Sequence, residues 1–299
     1  MRILPKTLNR AAVNLGQAAQ DFEPDGVKAS AIARDRRYLE IDGTGVPVRQ
    51  CETEGVNGKP ADGSAKTKEA KVIASFTADS IDPKTGLPVT DNGSDWVSGC
   101  IDRAVAVGNS SEATGFGERL DRHWYRTGAD QAKEVMVISD GARWIKKAAE
   151  ALLGNQNVTD ILDAFHAFEY ASEAVKELVS GKDKRKIRLE QIKTQWLDGA
   201  VAAVIAERTP HRHQGAAITR CIDYYDANKD RMRDDADRDR GLQIGSGQIK
   251  SRCKTLVASR FKKAGARWSK TGAKALLALK SCGRTANGMS SSNGERGAA

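Results

Sequence analysis

The pattern of apolar and polar positions predicts strands in the first half of the chain. Residues 37–49 alternate and then turn at Gly-Thr-Gly, and residues 69–78 form a second strand. Residues 134–141 are an apolar run that ends in Asp-Gly, which is typical of a buried central strand. Short helices are predicted at 7–20 and 117–130, and polar, glycine-rich segments predict the loops between these elements.

Helical spacing dominates the second half. Between 158 and 179 the apolar residues, among them Val158, Ile161 and Leu162, recur as they would on one face of a helix, and GKDKRK ends that pattern. Further helices are predicted at 187–207, near 216–238, from 249 onward and at about 270–281. Strands followed by a helical block and a final helix pair indicate an α/β fold, and we find no internal repeat.

The composition is that of a soluble globular protein. Of 299 residues, 39% are hydrophobic and 29% charged, and no run of 18 apolar residues predicts a membrane span. The basic start of the chain lacks the apolar stretch of a signal peptide, which argues against secretion. The five cysteines lie far apart and form no CxxC pair, which argues against a disulfide framework and a cysteine zinc finger. We therefore expect a protein of the reducing cytoplasm.

Positive charge is concentrated near the C-terminus. The whole chain carries +9, but residues 250–284, here called the basic stripe, contain eleven Lys or Arg and no Asp or Glu, so the rest of the chain is slightly negative. Such a stripe predicts a polyanion partner, above all nucleic acid, through neutralisation of phosphates. The alternative is a solvated helix face. The candidate DNA contacts are Lys254, Arg260, Lys262, Lys263, Arg267 and Lys270.

Two aspartates have the same local setting. Asp42 and Asp140 each follow an apolar strand and precede a glycine, which lets the backbone turn and leaves the carboxylate at a strand end. Two carboxylates on neighbouring strands can share a divalent cation such as magnesium, which demands oxygen ligands. Taken alone the signal is weak, because Asp-Gly commonly marks a turn.

Five blocks occur in order along the chain: YLEIDGTGVPV, GKPADGSAKTKEAKV, VMVISDGARWI, DAFHAFEY and IGSGQIKSRCKTLVASRFKKAGARWSKTGAKALLALKS. Together they resemble the ISKra group of bacterial insertion-sequence transposases, which is related to the mutator-like elements. The resemblance covers about residues 37–282. It implies a DDE transposase whose α/β, RNase H-like core, a mixed sheet with helices, is interrupted by an all-helical insertion. It also implies transposon ends and target DNA as partners, and a homo-oligomer assembled on DNA.

This resemblance divides the chain into five parts. Residues 1–36 are a short helical segment, 37–145 the first part of the core, 146–239 the helical insertion, 240–284 the basic helices that complete the core, and 285–299 a Ser/Gly-rich tail expected to be disordered. The family usually carries a longer DNA-recognition region before its core. Here TLNRAAVNLG resembles only the end of a helix-turn-helix-like unit, so the N-terminus looks truncated.

The resemblance also assigns site residues. It maps the first two catalytic aspartates, which hold Mg²⁺ or Mn²⁺, onto Asp42 and Asp140, and a motif of the insertion onto Asp163 and His166. Because Asp163 and His166 would share a helix face, Asp163 could fix the tautomer of His166, or both could approach DNA. A structural hydrogen bond that closes the insertion onto the core is at least as good an explanation, and neither residue is assigned a metal.

The chain departs from the family at its third acid. The family has a glutamate a few residues after Gly-Ser-Gly, and the matching position in GSGQIKS is Lys250. An ammonium cannot ligate a cation. Asp237 and Asp239 precede the glycine turn and are poorly placed substitutes, whereas Glu169 is a candidate compensating acid. We expect a transposase-family protein for metal-dependent DNA cleavage and strand transfer, with this copy inactivated at Lys250. The alternatives are a non-enzymatic DNA-binding or transposase-partner remnant and a two-acid nuclease with one metal.

Other patterns carry less weight. GSGQIKS lacks the Gly-Lys-Ser/Thr ending of a phosphate-binding P-loop, and DGTG lacks the nucleophilic aspartate of the haloacid-dehalogenase phosphatases, because Glu40 stands there. His211 and His213 with Cys221 could suggest zinc, although a loop with exposed histidines is commoner. Core packing is preferred over base stacking for Trp144, Trp196 and Trp268.

Overall fold

The structure is a computed structural model, and it describes residues 10–16, 18, 35–54, 66–78, 80–84, 88–101, 115–153 and 157–293. The predicted N-terminal segment 1–36 lies largely outside the described residues, although residues 10–16 and 18 are helical. Most of the predicted loop 55–66 and the last residues of the predicted tail also lie outside them.

A five-stranded mixed sheet forms the centre of the fold. Its strands are β1 (Arg36–Pro47), β2 (Thr67–Phe76), β5 (Trp96–Cys100), β6 (Glu134–Ser139) and β7 (Val158–Leu162), in the order β5-β2-β1-β6-β7. β2 pairs antiparallel with both β1 and β5, whereas β6 pairs parallel with β1 and β7. A separate hairpin consists of β3 (Ser80–Ile81) and β4 (Pro88–Val89). β1 is therefore the junction between an antiparallel half and a parallel half of the sheet.

Helices cover both faces of this sheet. On one face α1 (Phe116–Arg126) and α2 (Arg143–Leu153) bury Phe116, Leu120 and Ile145 against Leu39 and Val137. The other face is covered by α8 (Gly247–Arg252), a π-helical turn (Cys253–Ala258), α9 (Ser259–Phe261) and α10 (Lys270–Asn293). Because both faces are covered, β6 is entirely buried, as its apolar run predicted, and β2 is buried from Ala70 to Phe76.

A helical lobe lies between β7 and the C-terminal helices. It consists of α3 (Ala164–Leu178), α4 (Lys182–Leu197), α5 (Val201–Arg208), α6 (Ala216–Asn228) and α7 (Asp234–Asp239). Short 3₁₀ helices occur at Gln50–Glu52, Ala129–Gln131, Thr209–Gln214 and Lys229–Arg231. The lobe has its own core around Trp196, Ile218 and Tyr225, and Leu162 joins that core to the end of β7. No described helix combines the length and apolar character needed to cross a bilayer.

The structure corrects several predicted elements. The turn at Gly-Thr-Gly is wrong, because β1 continues through it while pairing with β2 as far as Pro47. The helix predicted from 158 is wrong for its first residues, which form β7 because they pair with β6. The predicted helix 187–207 is interrupted where Gly199 has a φ of +74°, and the one near 216–238 divides into α6 and α7.

Two further predictions differ at the ends of elements. β5 was missed, because WVSGC is short and follows a polar loop. α10 extends through Asn293, into the segment 285–299 predicted to be disordered. Extending a helix that is already docked requires no new nucleation, so residues of modest helix propensity can join it.

Candidate functional site

Three aspartates occupy neighbouring positions at the carboxyl ends of the parallel strands. The last register pairs join Ile41 to Ser139 and Ser139 to Leu162. Strands that run in parallel place the next residues side by side, about 5 Å apart. The next residue on each strand is an aspartate, and these are Asp42, Asp140 and Asp163, here called the aspartate row.

The aspartate row belongs to the face of the sheet that the C-terminal helices cover. Tyr38, Met136 and Ile161 pack in one cluster on that face, and each aspartate lies an even number of residues beyond one of them. Contacts from the covering segments agree, because Cys253 reaches Asp42 and Ser246 reaches Asp163. Asp42 is thus in the middle of β1 rather than at its end, but parallel pairing with β6 stops beside it.

Asp42 is partly buried against the C-terminal helices. Its Oδ1 accepts a hydrogen bond from the Gly43 amide at 2.6 Å, and its Oδ2 lies 3.7 Å from the thiol of Cys253. Burial raises the pKa of Asp42 most, and the nearby charges of Asp140 and Asp163 raise it further. Burial also raises the pKa of the Cys253 thiol, which therefore donates its proton toward Asp42. Asp42 and Asp140 directly follow the register pair of Ile41 and Ser139, so they occupy adjacent positions at the strand junction.

Asp140 is held by its own turn. Its Oδ1 accepts a hydrogen bond from the Ala142 amide at 2.8 Å, and its carbonyl accepts one from the Tyr224 hydroxyl at 2.7 Å. Gly141 has a φ of +84°, and a Cβ there would lie 2.9 Å from Asn228 Oδ1. The glycine after Asp140 therefore serves both the backbone turn and the approach of the helical lobe.

Asp163 joins the helical lobe to the C-terminal helices. It is 2% exposed and precedes α3, where its Oδ1 accepts from the Phe165 amide at 3.1 Å. The same carboxylate accepts from the amide of Ser246 at 3.0 Å and from its hydroxyl at 2.5 Å. These contacts correspond to the structural alternative among those open for Asp163, because they tie α3 to the segment that leads into α8.

His166 has different partners. Its Nδ1 lies 3.3 Å from a carboxylate oxygen of Glu169, and its ring packs edge-on against Tyr170 and Tyr224. No contact described for this chain joins His166 to Asp163. Asp163 is the N-cap of α3, and its side chain accepts from the Phe165 amide rather than contacting His166.

Lys250 brings a positive charge to the aspartate row. Its Nζ lies 3.3 Å from Asp163 Oδ2 and 3.7 Å from Glu169 Oε1. The position at which the resemblance expected a third acid therefore carries an ammonium that forms an ion pair with Asp163. Glu169 is near the site, as a compensating acid must be, but both of its neighbours here, Lys250 and His166, are basic groups. Asp237 instead pairs with Arg240, which also pairs with Glu134 at the opposite end of β6.

Glu40 is a buried acid that the sequence analysis did not assign to the site. It lies two residues before Asp42 and so on the same face of β1. Its carboxyl oxygens accept from the Ile249 amide at 2.5 Å and from the Gln243 side chain at 2.7 Å. Burial raises the pKa of Glu40 to about 8, and Asp163 adds to that shift. Glu40 is therefore mostly uncharged at neutral pH, and only its period-two spacing from Asp42 could have revealed it.

The donor set does not fit the two-metal centre that the family resemblance implies. Within the described ranges, no three His, Cys, Asp or Glu side chains converge as metal ligands. Asp42 and Asp140 offer carboxylate oxygens, but Asp163 is saturated by Ser246 and Lys250. A second cation would also meet the Lys250 ammonium. Two carboxylates remain for at most one hard cation.

The basic stripe divides into a bound part and an exposed part. Lys250 and Arg252 at its start are paired with Asp163 and Asp95. The six candidate DNA contacts are all exposed, and they are Lys254, Arg260, Lys262, Lys263, Arg267 and Lys270. Lys262 donates to the Thr44 hydroxyl at 2.7 Å. Because Thr44 lies two residues beyond Asp42 on β1, the exposed part of the stripe begins beside the aspartate row.

The remaining candidates have structural surroundings. Trp196 is fully buried, Trp144 packs edge-on against Phe116, and Trp268 lies beneath the guanidinium of Arg260. His211 and His213 are exposed, whereas Cys221 is buried in the core of the helical lobe. These three do not form a ligand set for zinc among the described residues.

No protein-family model matches this sequence, and no curated protein matches it significantly.

Proposed function

We propose that this chain is a transposase-family protein with an RNase H-like core, that it binds DNA through the basic stripe, and that Lys250 suppresses its own strand cleavage. The observation that carries the proposal is that Asp42 and Asp140 occupy adjacent positions just beyond the last register pair of β1 and β6, near the exposed Lys262 that donates to Thr44. The mixed sheet supports the core assignment, because β1 separates an antiparallel half from a parallel half. The helical lobe, which begins at Ala164, overlaps the insertion expected at 146–239, although β7 within that range belongs to the central sheet.

The exposed cations support DNA as the partner. Lys254 and Lys263 are exposed and take part in no described ion pair, and Lys262 is held toward β1 through Thr44. Lysine and arginine side chains of this kind neutralise phosphates and release counterions. The aspartate row is adjacent, so a duplex bound on the stripe would pass close to Asp42.

Cleavage is the part that the site supports least. Magnesium or manganese, if bound, would supply charge stabilisation at a phosphate. The residues present offer two carboxylates for this purpose and a third position that carries the opposite charge. Lys250 thus opposes a second cation by direct repulsion, and we expect strand cleavage to be slowed by about a thousandfold or more.

The basic stripe can be tested through the salt dependence of duplex binding. Fluorescence anisotropy of a labelled duplex should give a log–log slope of about −0.9 times the number of phosphates neutralised. The triple variant K262A/K263A/R267A should make that slope less steep by about two units or more. The matched control K182A/K184A/K186A removes three exposed lysines of α4 and should leave the slope unchanged. Equal slopes for both triple variants would refute the assigned surface.

A second candidate is a non-enzymatic remnant that binds DNA or transposase subunits, and the Lys250–Asp163 ion pair favours it. Nicking of supercoiled plasmid with magnesium or manganese separates the two. If only Lys250 prevents cleavage, Lys250→Glu should nick the plasmid, and adding Asp42→Ala to that variant should abolish nicking. A non-enzymatic remnant should not nick the plasmid either as the unmodified chain or as Lys250→Glu. Strong nicking by the unmodified chain that requires Asp42 would refute suppression by Lys250.

A further inference from the structure

Phe165 is a large apolar side chain left exposed at the edge of the aspartate row. It is 53% exposed and lies in the first turn of α3, two residues after Asp163. One edge of its ring covers Gly245 so closely that a Cβ there would lie 2.6 Å from the ring. The ammonium of Lys250 lies 5.2 Å from the ring centroid. The ring is therefore fixed between α3 and the start of α8, with the rest of its surface open.

The neighbouring aromatic side chains do not cover Phe165. Tyr170 and Tyr224 stack on each other with centroids 4.1 Å apart, and His166 packs edge-on against both. No aromatic pair described for this chain includes Phe165. Its exposure is thus not explained by the aromatic cluster that anchors α3 to α6.

The charges around Phe165 select the kind of group that can approach it. Asp140 and Asp163 lie at the adjacent strand ends, and Glu169 is one turn further along α3. Lys250 is already engaged with Asp163 and Glu169. A phosphate would be repelled at this edge, whereas an uncharged planar group can stack on the ring and gain from its burial.

We propose that Phe165 is a stacking subsite for an unpaired nucleobase of DNA bound on the basic stripe. The inference rests on the proposed function, because the basic stripe must first bind the DNA of which one unstacked base then packs on Phe165. The exposed cations carry the backbone outside the acidic region, and a base turned out of the helix reaches the ring inside it. Extrusion of a base costs least where the strand is already unpaired. The subsite therefore favours mismatched or single-stranded positions over paired duplex.

The test compares three labelled oligonucleotides of equal length: a paired duplex, a duplex with one unpaired 2-aminopurine, and a single strand. Aromatic stacking contributes about 1–3 kcal/mol per base by alanine substitution, so Phe165→Ala should weaken binding of the unpaired probes by about tenfold or more. It should leave binding of the paired duplex unchanged. Phe165→Tyr keeps the ring and should retain the preference. The matched control is Ile187→Ala, which removes an apolar side chain that is 60% exposed on α4.

2-Aminopurine fluorescence supplies a second measurement, since its intensity changes when the base leaves the stack of neighbouring bases. The unmodified protein, Phe165→Tyr and Ile187→Ala should change the fluorescence of the unpaired probe, and Phe165→Ala should not. Salt-dependent binding without preference for unpaired probes would overturn the subsite and leave the stripe intact. Absence of any DNA binding would overturn the proposed function and the subsite with it. Equal losses in Phe165→Ala and Ile187→Ala would also overturn the subsite.

Discussion

Replacing Lys250 with glutamate reverses the charge at the point where the C-terminal helices meet the aspartate row. The ammonium lies 3.3 Å from Asp163 and 3.7 Å from Glu169. At an effective dielectric near 20, each contact has a Coulomb energy of about 4–5 kcal/mol before desolvation. The side chains of Lys250 and Glu169 are 38% and 66% exposed, so hydration and screening reduce the net contribution to about 1–2 kcal/mol. Lys250→Glu loses this attraction and adds repulsion of similar size, so the free energy of unfolding should fall by about 2–4 kcal/mol.

Magnesium should partly reverse this loss in the variant. A cation that binds only the folded state stabilises it by mass action, and Lys250→Glu supplies the carboxylate that the unmodified chain lacks beside Asp42 and Asp140. The measurement is urea unfolding followed by tryptophan fluorescence, with and without millimolar magnesium. The unmodified chain should respond less, because its ammonium repels a second cation.

Lys254→Glu is the matched control. It makes the same change of charge one helical turn later, at an exposed side chain with no described acid partner. If both variants unfold at the same urea concentration, the ion pair at Lys250 contributes nothing and the reasoning fails. If Lys250→Glu is less stable but neither responds to magnesium nor cleaves DNA, the position does not correspond to the family's third acid.

Two further predictions concern buried carboxyl groups. Asp163→Asn removes the charge that pairs with Lys250 and one acceptor for Ser246, and should lower the free energy of unfolding by about 2–3 kcal/mol, measured by urea unfolding. Burial, followed by repulsion from Asp237, raises the pKa of Asp234 to about 7. Because the folded state then binds this proton more tightly than the unfolded state, stability should fall as pH rises from about 4 to 7, and Asp234→Asn should flatten that dependence. An unchanged pH profile in Asp234→Asn would contradict the assignment.

The strands that the sequence predicted are those whose burial leaves a local pattern. The first half of β1 alternates because polar Glu40 and Asp42 lie between apolar residues, whereas β6 is apolar from Val135 to Ile138 and entirely buried. The end of β1 could not be predicted in the same way. Gly-Thr-Gly favours a turn locally, but pairing with β2 continues to Thr67 and keeps the segment extended.

β7 shows why a short apolar segment is ambiguous. Val158, Ile161 and Leu162 fit a helix as well as a strand, because five residues sample less than two helical turns. Pairing with β6 decides for the strand, and that pairing is not visible in the local sequence. This matters for the candidate site, because Asp163 lies beside Asp140 only if residues 158–162 form a strand that pairs with β6.

The candidate site was predictable to the extent that it repeats a local signature. Asp42 and Asp140 share an Asp-Gly step after an apolar strand, and the structure places them at adjacent positions. Glu40 was not predictable as part of the site, because its surroundings come from Gln243 and Ile249, which are about two hundred residues away in sequence. The ion pairs of Lys250 with Asp163 and Glu169 could not be predicted either, because they form only where α3 packs near α8.

The charge balance of the site follows from how these groups meet. Glu40, Asp42, Asp140 and Asp163 share one face of the sheet, where their negative charges repel one another, and burial raises the pKa of Glu40 and of Asp42. Glu40 avoids its charge by remaining protonated at neutral pH, and Lys250 offsets that of Asp163. The repulsion that remains is between Asp42 and Asp140, and a single divalent cation suffices to neutralise it. A glutamate in place of Lys250 would leave two more negative charges to balance. Under the proposed function, the charge of residue 250 would therefore set how many metal ions this pair of aspartates can support.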